Sequence, residues 1–411
     1  MNPRPSAFIV CLLAAAVLAI APFLGGCGRN GGKATGDIVI GFIGDLTGPG
    51  AFAVKQTLDG QADYIRMLNE EELVPGVYVK YITYDSRGDR GRVQPAYKWL
   101  RGQGADLICT ISGDEAAILM PTLEADHIAA FTANSSQSLY ASEWAFGVLP
   151  PPIAQGETIA HWMEEHWDPN QGVAKVGLIG LGPLTISREI LESIQEWCAA
   201  TPGFVLAAGE LVPYGTVTWA AEIAHLRDCD FIVNTAIGSS MATFERDISA
   251  SGWQGTHVGC MESFMAFWTL VRTAVSPDDL DGAIASDPGA HWNDNVPFIN
   301  QCKEYTEKYR PSEAEEIFAA VGRIPGWCAG YIIAAAIEKA VVAVGVENVD
   351  SQAIRDALVG TDIDVEGFGN PWRLTGDLPC FWQTVRMMKW DAQGAEWQAC
   401  SDWYRPPSMG G

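Results

Sequence analysis

Asp37-Ile38-Val39-Ile40-Gly41-Phe42-Ile43, followed by Gly44-Asp45-Leu46-Thr47-Gly48-Pro49-Gly50, decides the fold. The first run is apolar with no polar alternation, the pattern of a strand buried on both faces. The second is a glycine-rich loop, and residues 51–71 then place apolar side chains at helical spacing. The same unit repeats downstream. A strand is expected over 77–84 ending at Asp85, a helix over 93–102 and a strand over 106–111. A short helix then leads to a strand over 128–132. Strands alternating with helices imply βαβ units and a parallel sheet. Pro150-Pro151-Pro152 stiffens the chain where it would cross to a second lobe. The alternation then restarts, with helices over 156–166, 187–199, 219–226 and 240–251. Strands are expected over 173–180, 205–211, 230–235 and 257–261. From about residue 285 helices dominate (298–309, 328–344, 351–358). The chain closes in a hairpin of 384–390 and 396–403, turned at Asp391-Ala392-Gln393-Gly394. The reading is α/β: two doubly wound parallel-sheet lobes with a cleft between them. In such sheets ligands sit outside the carboxyl ends of the strands.

The N-terminus carries an address. Arg4 precedes an apolar run over residues 8–24, and Leu24-Gly25-Gly26-Cys27 follows. That is the layout of a secretory signal, and its end resembles the lipobox of bacterial lipoproteins. Residues 1–26 are then the signal, Cys27 becomes the lipidated N-terminus, and residues 27–36, small and polar, form a flexible tether. The alternative is an uncleaved N-terminal anchor. Of the later segments, 331–346 comes nearest to a membrane span but contains Glu338 and Lys339.

The chain holds 26 basic and 50 acidic residues, a formal charge of −24. Removing residues 1–26 removes one base and no acid, giving −25. Nucleic acid and anionic lipid surfaces are therefore poor partners. Of ten cysteines, Cys11 leaves with the signal and Cys27 takes lipid, so eight remain in an oxidising compartment.

Signatures of chemistry are sparse. Gly180-Leu181-Gly182 is followed by Pro183, with Thr185 where a dinucleotide fingerprint needs its third glycine. Gly48-Pro49-Gly50 has no Gly-Lys-Ser/Thr after it, and there is no Gly-x-Ser-x-Gly. His161 and His166 are five apart, the wrong spacing for two ligands on one helix face, and no cysteine pair has zinc spacing. The fifteen tryptophans are scattered, as core residues are. The expectation is a binding protein rather than an enzyme, with no cofactor and no metal.

Residues 40–49, with Gly60, Asn69, Asp85, Ser112-Gly113, 133–135, Gln155-Gly156, 259–262, 367–377 and 390–394, carry a resemblance over nearly the whole mature chain. In order and spacing they are similar to type I periplasmic binding proteins, in the leucine/isoleucine/valine-binding branch that feeds ABC importers. The resemblance implies a lobe pair that closes on a small ligand and docks on an ABC permease. It puts residues 37–151 and 284–366 in lobe one, and 152–283 and 367–411 in lobe two. It also implies a head-group site for an amino acid. Ser112 and Gly113, at a helix start, suit a carboxylate, although Ser112 could equally be only a helix cap. Ala133, Asn134 and Ser135 would offer a carbonyl and a hydroxyl, the ST-turn being the alternative for Ser135. Glu262 would pair the ligand's ammonium, against the plain alternative of a surface acid at a strand end. Thr185 and Ile237 fall where the family usually carries tyrosines. Ala53 likewise replaces an aromatic, and Val54 a glycine. The head-group site is thus expected to be kept and the side-chain pocket rebuilt. A ligand sensor for a small amide or organic solute is the alternative function, and an amidase-like enzyme a third. With these lobe boundaries, the expected disulfides are Cys380–Cys400, Cys198–Cys229 and Cys302–Cys328, leaving Cys109 and Cys260 as buried thiols.

Overall fold

The computed structural model describes residues 36–359, 362–363, 365, 372–373 and 380–410. The signal, Cys27, the tether up to Thr35 and most of the 367–377 motif lie outside the described residues. The first layer set runs β1 (Asp37–Gly44), α1 (Ala51–Glu70), β2 (Tyr78–Asp85), α2 (Val93–Gly102) and β3 (Leu107–Thr110). It continues through α3 (Gly113–Asp126), β4 (Ala130–Thr132) and β5 (Ala145–Gly147). Every residue of β1 is buried, which is why its run lacks polar alternation. The strands form one five-stranded parallel sheet in the order β2-β1-β3-β4-β5.

The second set begins α4 (Pro152–His166), β6 (Ala174–Leu181), α5 (Thr185–Ala200), β7 (Phe204–Val212) and α6 (Ala220–Leu226). It goes on through β8 (Phe231–Asn234), α7 (Gly238–Ala250), β9 (Thr256–Cys260), α8 (Trp268–Ala274) and β10 (Ile284–Asp287). Four helices follow: α9 (Pro297–Tyr309), α10 (Ala314–Phe318), α11 (Arg323–Val344) and α12 (Ser351–Leu358). A two-stranded ribbon, β11 (Asp362–Ile363) with β12 (Trp372–Arg373), precedes the hairpin β13 (Arg386–Asp391) and β14 (Glu396–Ala399). The second sheet is ordered β14-β13-β10-β9-β8-β6-β7. Its β7-β6-β8-β9-β10 portion is parallel and repeats the arrangement of the first sheet, while the hairpin adds antiparallel. Both sheets thus reverse direction of winding beside their first strand, where ligand crevices open.

Four strands escaped the sequence pattern: β5, β10 and the two-residue β11 and β12. β5 has three residues, and β10 reads Ile284-Ala285-Ser286-Asp287, half polar yet buried. Ser286 donates to Gln155 Oε1 (2.9 Å) and Asp287 pairs with Arg386 (3.2 Å), so its polar groups are satisfied inside. β10 pairs with β9 and β13 in the second sheet. At another linker, Phe381 N–H donates to Gly147 O (3.0 Å) and Trp382 N–H to Val148 O (2.9 Å), tying two inter-sheet segments side by side.

α11 is long and apolar enough to cross a membrane, but over half of its apolar window is buried in the protein body against α1. That contact is close because Gly326 lies on the α1 backbone. A Cβ there would fall 1.9 Å from Thr57 O. At the same contact Arg323, fully buried, donates to Asp63 Oδ2 (2.7 Å) and to Thr306 Oγ1 (2.7 Å). Arg310 Nε reaches the same Asp63 oxygen at 2.6 Å.

All eight described cysteines are thiols, correcting the three expected disulfides. Cys198 packs with Val176 and Leu178 on one face of the second sheet. Cys229 lies on the other face, where it would collide with a Cβ on Gly177. Cys380 precedes the hairpin and packs with Ala154 and Met409, whereas Cys400 binds the backbone of Met387. Cys302 and Cys328 share one core as protonated thiols, burial holding the Cys302 thiol up at about 12. Cys109 and Cys260 are buried thiols, as expected.

Candidate functional site

A cavity of about 200 Å³ opens at the carboxyl ends of both sheets. Each wall is a loop that follows a strand. Gly50 comes after β1, Ser112 and Gly113 after β3, and Asn134 to Ser136 after β4. On the other side stand Leu184 to Ile186 after β6, Ile237 after β8, and Met261 and Glu262 after β9. Of the eight residues expected at the site, Ser112, Gly113, Asn134, Ser135, Thr185, Ile237 and Glu262 line this cavity. Ala133 does not. It is buried, and its carbonyl accepts from Leu149 N–H at 3.1 Å.

The first-sheet wall is polar through its backbone. Ser112 is the N-cap of α3, its hydroxyl accepting from Asp114 N–H at 3.1 Å. The cap role is thus filled, and Gly113 N–H, the first of the helix, finds no acceptor among the described residues. A Cβ on Gly113 would lie 2.8 Å from Ser135 O, so backbone passes backbone here. Ser135 is turned inward. Its hydroxyl is buried without a partner among the described residues and would stand 2.6 Å from a Cβ on Gly147. The N-termini of α3, α5 and α7 all end at the cavity through Gly113, Thr185 and Ile237. Their partial positive ends favour an anion there.

Two acids reach the cavity, and their surroundings differ. Asp114, which the sequence reading missed, is held by Arg90 at 2.6 Å and accepts the Thr185 hydroxyl from across the cleft. Arg90 also donates to Pro183 O at 3.2 Å, so one guanidinium spans both walls. Glu262 has no cation within ion-pair distance among the described residues. Both its oxygens accept from the single amide of Gln155, at 2.9 and 3.0 Å. Burial holds its carboxyl above the usual carboxylate range, with the Gln155 hydrogen bonds opposing. Glu262 is the second residue of a π turn (Met261–Met265) that follows β9.

The rest of the wall is apolar: Ala53, Val54, Ile111, Ile186, Met261 and Phe267. Phe267 meets Phe52 across the cleft at 6.2 Å between ring centres. Met261 and Phe267 had no signal in the sequence beyond their nearness to Glu262, and Pro325 arrives from α11.

The sequence matches the family described as periplasmic binding protein over residues 37–395. This chain belongs to the type I periplasmic binding proteins. No curated protein matches it. Among solved structures, this binding protein is similar to a Thermus thermophilus branched-chain amino acid ABC transporter protein with bound valine. The TM-score is 0.79 at 17% identity, covering 91% of this chain and 97% of that one. A fatty acid ABC transporter substrate-binding protein from Thermomonospora curvata gives 0.78 at 16%, covering 91% and 94%. A solute-binding protein from R. palustris in complex with benzoate gives 0.71 at 14%, covering 90% and 97%. At these identities the likeness establishes the two-lobed fold of this binding protein, and its ligand has to be read from its own cavity.

Proposed function

We propose that this periplasmic binding protein captures an α-amino acid with an apolar side chain and hands it to an ABC permease outside the cytoplasm. In this reading Cys27 carries the lipid that holds the protein to a membrane. One lobe comprises residues 37–151 with the helical segment after Asp287 up to 366; the other comprises the second sheet with the C-terminal segment.

The carrying observation is the contrast between the two acids. Asp114 is already paired with Arg90, whereas Glu262 meets the Gln155 amide and the Cys260 thiol but no cation among the described residues. A charge for Glu262 must come from the ligand, and an ammonium supplies it through a charge-assisted hydrogen bond. Gly113 N–H and three helix N-termini suit the same ligand's carboxylate. The apolar wall then takes the side chain. The cavity is smaller than the roughly 300–1,000 Å³ of drug-sized sites, which fits a ligand of this size. The mechanism is closure: both walls meet one small molecule, which favours the closed form by its contacts to each.

Calorimetric titration with leucine, valine and phenylalanine, and with 4-methylpentanoate as the ammonium-free match to leucine, tests it. At least one amino acid should bind and 4-methylpentanoate should not. Glu262→Ala should weaken amino-acid binding by about 2–5 kcal/mol, the range for removing one partner of a buried charge pair. Equal binding of 4-methylpentanoate would turn the site into one for plain carboxylic acids, with Gln155 satisfying Glu262 permanently. Binding of the amino acid should also strengthen as pH rises. An ammonium pulls down a carboxyl that burial holds up, so binding releases a proton.

A further inference from the structure

A second cavity, of about 360 Å³, lies away from the cleft, between α8, the β13–β14 hairpin and the segment leading into α9. Its walls are aromatic. Trp268, Trp390 and Trp397 stack edge to face, with ring centres 4.7, 4.8 and 5.8 Å apart, and are 1, 2 and 4% exposed. The indole Nε1 of all three is buried with no hydrogen-bond acceptor among the described residues, and so is Arg272 Nε. Each such donor should cost stability if nothing ever meets it.

The charges around the cavity have the same character. Arg272 lies over the Trp390 ring at 5.8 Å and makes no ion pair among the described residues. Lys303 on α9 also lines the cavity without an ion pair among the described residues. His291 accepts Asn293 N–H on Nδ1 at 3.3 Å, so its other nitrogen carries the proton and donates. Burial pushes its pKa down to about 3, keeping the ring neutral. The one acid on the wall, Glu396, accepts from the Asn293 (3.2 Å) and Gln398 (3.2 Å) amides and is in ion-pair distance of neither cation among the described residues. In a chain with 50 acids and 26 bases, two cations without acidic partners beside a set of donors are out of keeping with the surface at large.

We infer that this cavity is a second binding site, for a small carboxylate on a flat aromatic body. Indole, guanidinium and ammonium groups only donate, so the group they lack is an acceptor bearing negative charge. Three tryptophan faces and edges suit a planar ring. Arg272 stands on α8 beside the second sheet, while Lys303 stands on α9, which packs on α1 beside the first. A carboxylate held by both ties the two halves at a point remote from Glu262.

The probe is 2-naphthoate, with its neutral methyl ester as control, followed by tryptophan fluorescence. Saturable binding of 2-naphthoate and none of the ester is expected. Arg272→Gln and Lys303→Gln should each weaken it by about tenfold, the scale of one charged hydrogen bond, while Arg272→Lys retains most of it. Glu262→Ala should leave it unchanged. Thermal melting checks that each variant folds. If Arg272→Gln does not, Lys303→Gln on the outer helix decides alone. Absence of saturable binding, equal binding of the ester, indifference to Lys303→Gln, or loss with Glu262→Ala would each overturn the site.

Discussion

Asp63 shows how much can hang on one carboxylate. It receives Arg323, fully buried, and Arg310, and it joins α1 to α11 beneath the cavity. Replacing it with alanine leaves a buried guanidinium bonded to Thr306, with Cys302 beside it and Asp59 as a remaining acid nearby. The expected loss is about 3–5 kcal/mol of unfolding free energy, read by urea denaturation. Asp63→Asn should recover part of this by keeping an acceptor. Arg90 is a different case, because it is half exposed and its pair with Asp114 is screened. Arg90→Gln should leave stability nearly untouched and show itself instead as weaker ligand binding. At this scale legibility was uneven. Glu262 and Gly113 could be found because they follow a buried strand at a fixed offset. Asp114 could not, since an acid in the first turn of a helix is ordinarily only a favourable end charge. Ala133 failed because a strand end says nothing about whether its carbonyl is already taken.

At the scale of elements, α5 contributes more than its N-terminus. Its Glu189 accepts Gln137 N–H (3.1 Å) from the first set of layers, and its second oxygen is buried without a partner. Burial raises its carboxyl to about 7, as it does that of Glu115 on α3, which accepts from Ser86. An acid raised on folding contributes fully below its ordinary value of 4.5, and that contribution is lost as pH rises through about 7. Glu189→Gln and Glu115→Gln should therefore gain on the parent steadily between about pH 5 and 8, measured by denaturation at each pH. His291 acts in the opposite sense at lower pH, so the quantity to follow is the difference between variant and parent. Long elements such as β1, α2 and α12 declared themselves by period. β10 did not, because its buried serine and aspartate are satisfied by Gln155 and Arg386, which lie far away in sequence. The hairpin was visible, its regular strands being Arg386–Asp391 and Glu396–Ala399, with Val385 and Tyr404 pairing again beyond an irregular stretch.

The whole molecule combines an acidic exterior with eight thiols and a lipid attachment expected at Cys27. Sulfhydryl titration of denatured, unreduced protein should return eight thiols, since no two cysteines are bonded in the fold. Cys27→Ala should release the protein from membranes into the soluble fraction of a secreting host, with cavity binding unchanged. The overall architecture was readable early because it depends on repeated βαβ units, which tolerate local error. The disulfides were not, because cysteine spacing does not say on which face of a sheet each thiol lies. The cavity wall has a consequence for how such a protein can change over generations. Gly113 and Gly147 are each pressed against Ser135, so a side chain at either collides with the cavity wall there. Ala53, Ile186 and Ile237 border the space itself. In the proposed reading, single substitutions can therefore redraw the outline of the cavity while the grip on a charged end of the ligand stays as it is, and a lineage of these proteins can explore new solutes without first losing an old skill.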